Sequence, residues 1–223
     1  MSYVTELEGA VAARDEFIHM LAHELRNSLS PLVLLVERYE LQADPAHSLL
    51  AKYVRKLTTT VDRLTEVAQL RHGEVALDPS FSDLGELARQ VVTQLDPQAL
   101  AGGVELELQA DPGVTGNWDR QRVKQIIDAL VTNAIRYSGG GLVQVIVRGA
   151  VHAELIVIDH GPGVPEAQRE YLFEPFDHRG PERASGLGVG LWIVKTLCRA
   201  MGGSVRLDTT PVGARFCVTL PRT

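Results

Sequence analysis

The chain has 223 residues, 45% of them apolar and 22% charged, which is the balance of an ordinary soluble protein long enough for one large domain or two small ones. Its formal net charge of −6 excludes a nucleic-acid binder that works by neutralising phosphates. No apolar run approaches the ~20 residues of a membrane span, no signal peptide opens the chain, and Cys198 and Cys217 read as buried thiols of a reducing compartment.

The first third predicts two long helices. Val4, Leu7, Val11, Ile18, Leu21, Leu25, Leu32, Leu35 and Tyr39 follow three-four spacing, interrupted at Arg14 and Ser28. After a turn-like ADPAH at Ala43–His47, Leu50, Tyr53, Leu57, Leu64 and Val67 resume it. One hairpin leaves apolar edges uncovered, so a second copy is expected to complete a four-helix bundle through residues 1–73.

From about residue 74 the texture changes. Ser82 or Asp83, with Glu86 behind it, predicts a capped helix to about Leu95. Val104–Leu108 alternates as a half-buried strand, and a helix is expected from Asp119 to Tyr137. LVQVIVRG and AELIVID read as a hairpin turning at Ala150–His152, after a glycine turn at 139–141. A helix over Gly188–Ala200 and two closing strands, SVRLDTT and ARFCVTL, complete an α+β layer sandwich, with domains at 1–73 and 74–223.

Within the first helix the stretch FIHMLAHELRNSLSPL places His23 about 200° from both Leu21 and Leu25, away from the seam and on the same face as His19. An idle surface histidine is the plain alternative. A zincin is disfavoured, because the His-Glu-x-x-His pattern ends here in Asn27. A neutral imidazole is a competent nucleophile at neutral pH, and Glu24 beside it can take the proton from the other ring nitrogen. His23-Glu24-Leu25-Arg26-Asn27 followed by Leu29 resembles the H-box of two-component sensor histidine kinases. That resemblance implies phosphorylation at His23, proton transfer through Glu24, and a water-orienting phosphatase role for Asn27. The family usually has Pro where Ser28 stands; here either the kink moves three residues on, to Pro31, or a fresh helix starts with Ser30 as cap and Pro31 at its first position, and the apolar seam continuing through the site favours the kink.

No Walker motif occurs, so a P-loop NTPase is out. Gly186-Leu187-Gly188-Val189-Gly190 hints at a dinucleotide fingerprint but lacks the acidic residue about 20 positions on. Taken in order, Asn133-Ala134-Ile135-Arg136-Tyr137, Asp159-His160-Gly161-Pro162-Gly163, Phe173-Glu174-Pro175-Phe176 and Gly186–Gly190 resemble the N-box, G1, F-box and G2 of the GHKL (Bergerat) ATP-binding fold. Each residue type has a matching chemistry. Asp159 can accept from the 6-amino group of adenine, where guanine would present an opposing carbonyl. Gly161 and Gly163 permit close backbone approach. Asn133 offers a neutral oxygen to Mg²⁺, Arg136 offsets phosphate charge, and Tyr137 can lie against the base. Gly186, Leu187, Gly188 and Gly190 lead into a helix whose amino end faces the triphosphate. Residues 164–185, with Phe176, Arg179 and Arg183, correspond to a mobile lid. Ala129 stands where the family often has a further Asn.

The two resemblances imply a cytoplasmic histidine kinase core, or the cytoplasmic part of a larger or membrane-associated receptor. It would use ATP and Mg²⁺ to phosphorylate His23 and pass the phosphoryl group to an aspartate of a response-regulator receiver domain. Phosphatase chemistry on that partner would run through Asn27. The alternatives are a serine kinase or ATP-driven machine on the same fold, or a degenerate dimeric scaffold.

Overall fold

The computed structural model describes residues 45–71, 75–175, 188–208, 210 and 212–222, together with Leu25, Leu29, Leu32 and Val33. The chain forms two compact units, Met1–Val75 and Ala76–Thr223.

In the first unit helix α1 spans Pro45–Arg71. The chain is therefore already helical within the expected turn, as a proline at the first helical position allows. Of the expected stripe Val67 is buried and Leu64 half-buried, whereas Tyr53 and Leu57 are exposed, and a second seam runs beside it. Val54, Thr58, Val61, Thr65 and Ala68 recur at spacings of four, three, four and three, and Val54, Val61, Thr65 and Ala68 are buried. Two of these seam positions are threonines, whose hydroxyls donate to the carbonyls of Val54 and Val61, each at 3.0 Å. A polar residue type therefore occupies an apolar seam and hides it from a hydropathy reading. Leu29 is helical and buried, and it packs on Val61 with Leu64 beside it. By contrast Leu25 and Leu32 are 47% exposed, Leu57 49% and Tyr53 61%. The expected Pro31 kink lies outside the described residues.

The second unit begins with β1 (Pro79–Asp83), which pairs antiparallel with β3 (Thr115–Asp119) in a two-stranded sheet. Neither short strand is marked in the sequence by an apolar alternation. Trp118 on β3 is 1% exposed, and its indole N–H donates to the Pro221 carbonyl. Its ring folds over Gly116, where any Cβ would meet it at 2.2 Å. Helix α2 (Leu84–Ala101) is capped by Asp83, which accepts from the Glu86 N–H at 3.0 Å. It runs past the expected end at Leu95 and through Pro97, because Ala99 is fully buried and anchors the last turn.

The main sheet has order β2-β4-β5-β7-β6, formed by Val104–Ala110, Gly141–Gly149, Ala153–Ile158, Arg215–Leu220 and Ser204–Asp208 respectively. β2 and β4 run parallel, and every other neighbouring pair is antiparallel. β4 and β5 form the expected hairpin, with Ala150 N–H donating to His152 O at 3.0 Å. The turn at Gly139, Gly140 and Gly141 takes φ of 71°, 104° and 86°, values that only glycine adopts cheaply in succession. Val143, Val145 and Val147 on β4, with Leu155, Val157, Phe216, Val218 and Leu220, bury one face of the sheet. Helix α3 (Arg120–Tyr137) packs against both α2 and α5 (Gly190–Ala200), and all three helices pack on this sheet. Between β5 and α5 lies a one-turn helix, α4 (Glu166–Arg169). Cys198 and Cys217 are free buried thiols, and burial pushes the Cys198 thiol up to about 12.

Candidate nucleotide site

Helix α3 starts on a firm cap. The Asp119 carboxylate accepts from the backbone N–H groups of Asp78, Gln121 and Arg122 at 3.0, 2.9 and 3.0 Å. Burial pushes this carboxyl up, but those three donors and the Arg122 charge outweigh burial and hold it below the usual carboxylate range. Val123, Ile126, Ile127, Leu130, Val131 and Ala134 bury the core face of the helix. Asn133 and Tyr137 are half-buried near its carboxyl end, and Arg136 is exposed.

Asp159 follows β5 directly and is 4% exposed. Its Oδ1 accepts from Gly161 N–H at 2.9 Å and from Ala214 N–H at 3.2 Å. Its own N–H donates to the Ala214 carbonyl at 3.0 Å. No described residue donates to Oδ2. The loop that follows presses against α3: a Cβ on Gly161 would lie 2.2 Å from the Tyr137 carbonyl oxygen. Gly163 has φ of 73°, and a Cβ there would lie 2.8 Å from the Gly213 carbonyl oxygen. Asp159, Gly161 and Tyr137 are thus brought together, although 22 residues separate the aspartate from the tyrosine in sequence.

Residues 118–223 match the family described as histidine kinase-, DNA gyrase B-, and HSP90-like ATPase. The chain is 30% identical over 223 residues to the sensor protein RstB of Escherichia coli (strain K12), an alignment covering 96% of this chain and 50% of that protein. It is also 30% identical over 230 residues to the alginate biosynthesis sensor protein KinB of Pseudomonas aeruginosa, covering 98% of this chain and 38% of KinB. Full-length ShkA, solved in complex with AMPPNP, matches with a TM-score of 0.68 at 29% identity over 92% of this chain and 45% of that one. Along nearly its whole length the chain is thus similar to sensor histidine kinases. Its second unit is a GHKL-type α/β ATP-binding domain. The chain spans half or less of the length of these three relatives.

Within this ATP-binding domain Gly188, with φ of 65°, and Gly190 flank the buried Val189, whose carbonyl accepts from Ile193 N–H at 2.9 Å as α5 begins. The expected helix start at Gly188 therefore moves to Gly190. Phe173 packs edge-on against Phe216 of β7, with ring centroids 6.4 Å apart at 89°. Glu174 pairs with Lys195 of α5 at 3.3 Å. His23, Glu24, Asn27, Phe176, Gly186 and Leu187 lie outside the described residues, as does most of the expected lid.

A hollow of about 300 Å³ opens beside the Asp159 loop, lined by Pro162–Pro165, Arg169, Leu207, Asp208, Thr210 and Gly213. Gly163 is the single member of the predicted nucleotide set among its walls. The connection between β6 and β7 carries no signature in the sequence. Gly213 and Ala214 nevertheless touch the Asp159 backbone and carboxylate directly. Nothing in PVGA distinguishes such a contact from an ordinary strand-leading turn.

Proposed function

We propose that the chain is a protein histidine kinase core in which ATP, held by residues 74–223, phosphorylates His23 in residues 1–73. The supporting observation is Asp159: a buried carboxylate with one oxygen engaged by two backbone N–H groups, set against the end of α3. Its other oxygen is left to accept from the adenine 6-amino group, and guanine would leave two acceptors opposed in a buried place. Asn133, Arg136 and Tyr137 line the same end of α3, while Gly188 and Gly190 open α5 toward the phosphates.

Among the described residues no three His, Cys, Asp or Glu side chains gather into a metal cage. The half-buried Asn133 fits an ion of the Mg²⁺ kind, which takes one neutral oxygen from protein and the rest from water and phosphate. Such an ion supplies charge neutralisation of the triphosphate.

In the reaction a His23 ring nitrogen forms a bond to the γ-phosphorus as the bond to the ADP oxygen breaks, and Glu24 accepts the proton from the other nitrogen. The phosphoryl group then passes to an aspartate carboxylate of a response-regulator receiver domain, and Asn27 orients water for the opposing phosphatase reaction, in which water bonds to the phosphorus as the bond to the carboxylate oxygen breaks and inorganic phosphate leaves. Homodimerisation through residues 1–73 is supported by the half-exposed Leu25, Leu32, Tyr53 and Leu57, an apolar set that one copy leaves uncovered. No helix among the described residues is long and apolar enough to cross a membrane.

Incubation with γ-labelled ATP and Mg²⁺ tests the proposal. The wild-type chain should acquire label that acid releases and alkali does not, and His23→Ala should acquire none. Label of equal yield on His23→Ala, or acid-stable label, overturns it.

A further inference from the structure

We infer that Thr210 is a positioning residue for adenine selection, acting through a single peptide plane. The inference rests on the proposed role of Asp159 as the acceptor for the 6-amino group. The Gly213 carbonyl and the Ala214 N–H belong to one planar peptide unit. At one end of that unit, the Thr210 hydroxyl lies 2.9 Å from the Gly213 carbonyl oxygen and 3.0 Å from the Val212 carbonyl oxygen, so its proton is shared between two acceptors. At the other end, Ala214 N–H donates to Asp159 Oδ1 at 3.2 Å. Turning the plane at one end therefore withdraws the donor at the other.

The plane needs such a pin because of what surrounds it. Gly213 has φ of 79°, and a Cβ there would lie 1.8 Å from the Asp159 carbonyl oxygen, so only glycine fits. Glycine also makes rotation of the neighbouring peptide cheap. With the hydroxyl in place the plane is fixed, Oδ1 keeps both of its donors, and Oδ2 keeps its direction. Without it, the carboxylate retains only the Gly161 N–H and can swing about its side-chain torsion. No residue of the β6–β7 connection needs to touch the base for this to act on base choice.

The test is calorimetric titration of the full chain, with Mg²⁺, using ATP and purine riboside triphosphate, which lacks the 6-amino donor. Wild type, Thr210→Val, Thr210→Ser and Asp159→Asn are compared. Thr210→Val should cut the preference for ATP over the analogue by about three- to tenfold, the range of one lost neutral hydrogen bond. Affinity for the analogue itself should stay at the wild-type level, and Thr210→Ser should restore the preference. If Thr210→Val keeps the full preference while Asp159→Asn loses it, the inference fails and the adenine role of Asp159 stands. If both nucleotides weaken alike in Thr210→Val, the residue is merely structural and the inference fails again. Should Asp159→Asn retain the full preference, the adenine reading falls and takes the inference with it.

Discussion

Gly161→Ala is the sharpest single perturbation of the proposed adenine site. The added Cβ would lie 2.2 Å from the Tyr137 carbonyl oxygen and 3.0 Å from its carbonyl carbon. Ordinary contact needs roughly 3.4 Å, so the loop must retreat by about 1 Å. The end of α3 cannot yield instead, because Ala134 beneath it is buried and its carbonyl accepts from Ser138 N–H at 2.9 Å. A retreat of that size lengthens the 2.9 Å bond from Gly161 N–H to Asp159 Oδ1 beyond hydrogen-bonding range. A hydrogen bond to a charged group contributes about 1.5–3 kcal/mol, which corresponds to a loss of at least about tenfold in ATP affinity. Calorimetric titration with ATP and Mg²⁺ measures it directly, alongside a melting curve of the free protein to show that the variant is folded. A folded Gly161→Ala chain with wild-type ATP affinity would show that the Asp159 loop does not hold the base.

Asp119→Ala removes the acceptor of three backbone donors at the start of α3 and should cost about 2 kcal/mol in denaturant unfolding at neutral pH. The folded carboxyl titrates below its ordinary 3.8, so its contribution is complete above that value and disappears as pH falls through the lower, folded one. The gap between wild type and variant should accordingly close on acidification below about pH 4, and a gap that stays constant to about pH 2 contradicts the assignment. Leu57→Glu places a charge on the half-exposed apolar edge of α1 and should convert a dimer into a monomer in light scattering, with helical circular dichroism retained. Persistence of the dimer would move the interface elsewhere.

Local chemistry is readable wherever it acts over a few residues. Asp83 is recognisable as one of two candidate helix caps because a cap is decided within three positions, and the β4–β5 hairpin because its turn is short, whereas Asp119, expected as the first helical residue, is in fact the cap of a helix that begins at Arg120. The ordered glycine clusters point to the ATP-binding fold for the same reason: each is a compact local pattern. Other features depend on partners distant in the chain. β1 and β3 are short segments that pair across about thirty residues, and Trp118 is buried only because the carbonyl of Pro221 and the closing strand come to meet it. The seam of α1 contains Thr58 and Thr65, whose polarity is cancelled by their own helix's carbonyls rather than by anything hydropathy records.

The proposed nucleotide site divides along the same line. Residue types alone mark Asp159 as an acceptor and Gly161 as a place of close approach. That one carboxylate oxygen is taken by Ala214, that Gly161 lies on the Tyr137 carbonyl, and that Gly213 lies on the Asp159 carbonyl were decided by the packing of strands and loops remote in sequence. Short-range rules depend on neighbours that the chain itself supplies in order, whereas these contacts exist only once the five strands have been laid side by side.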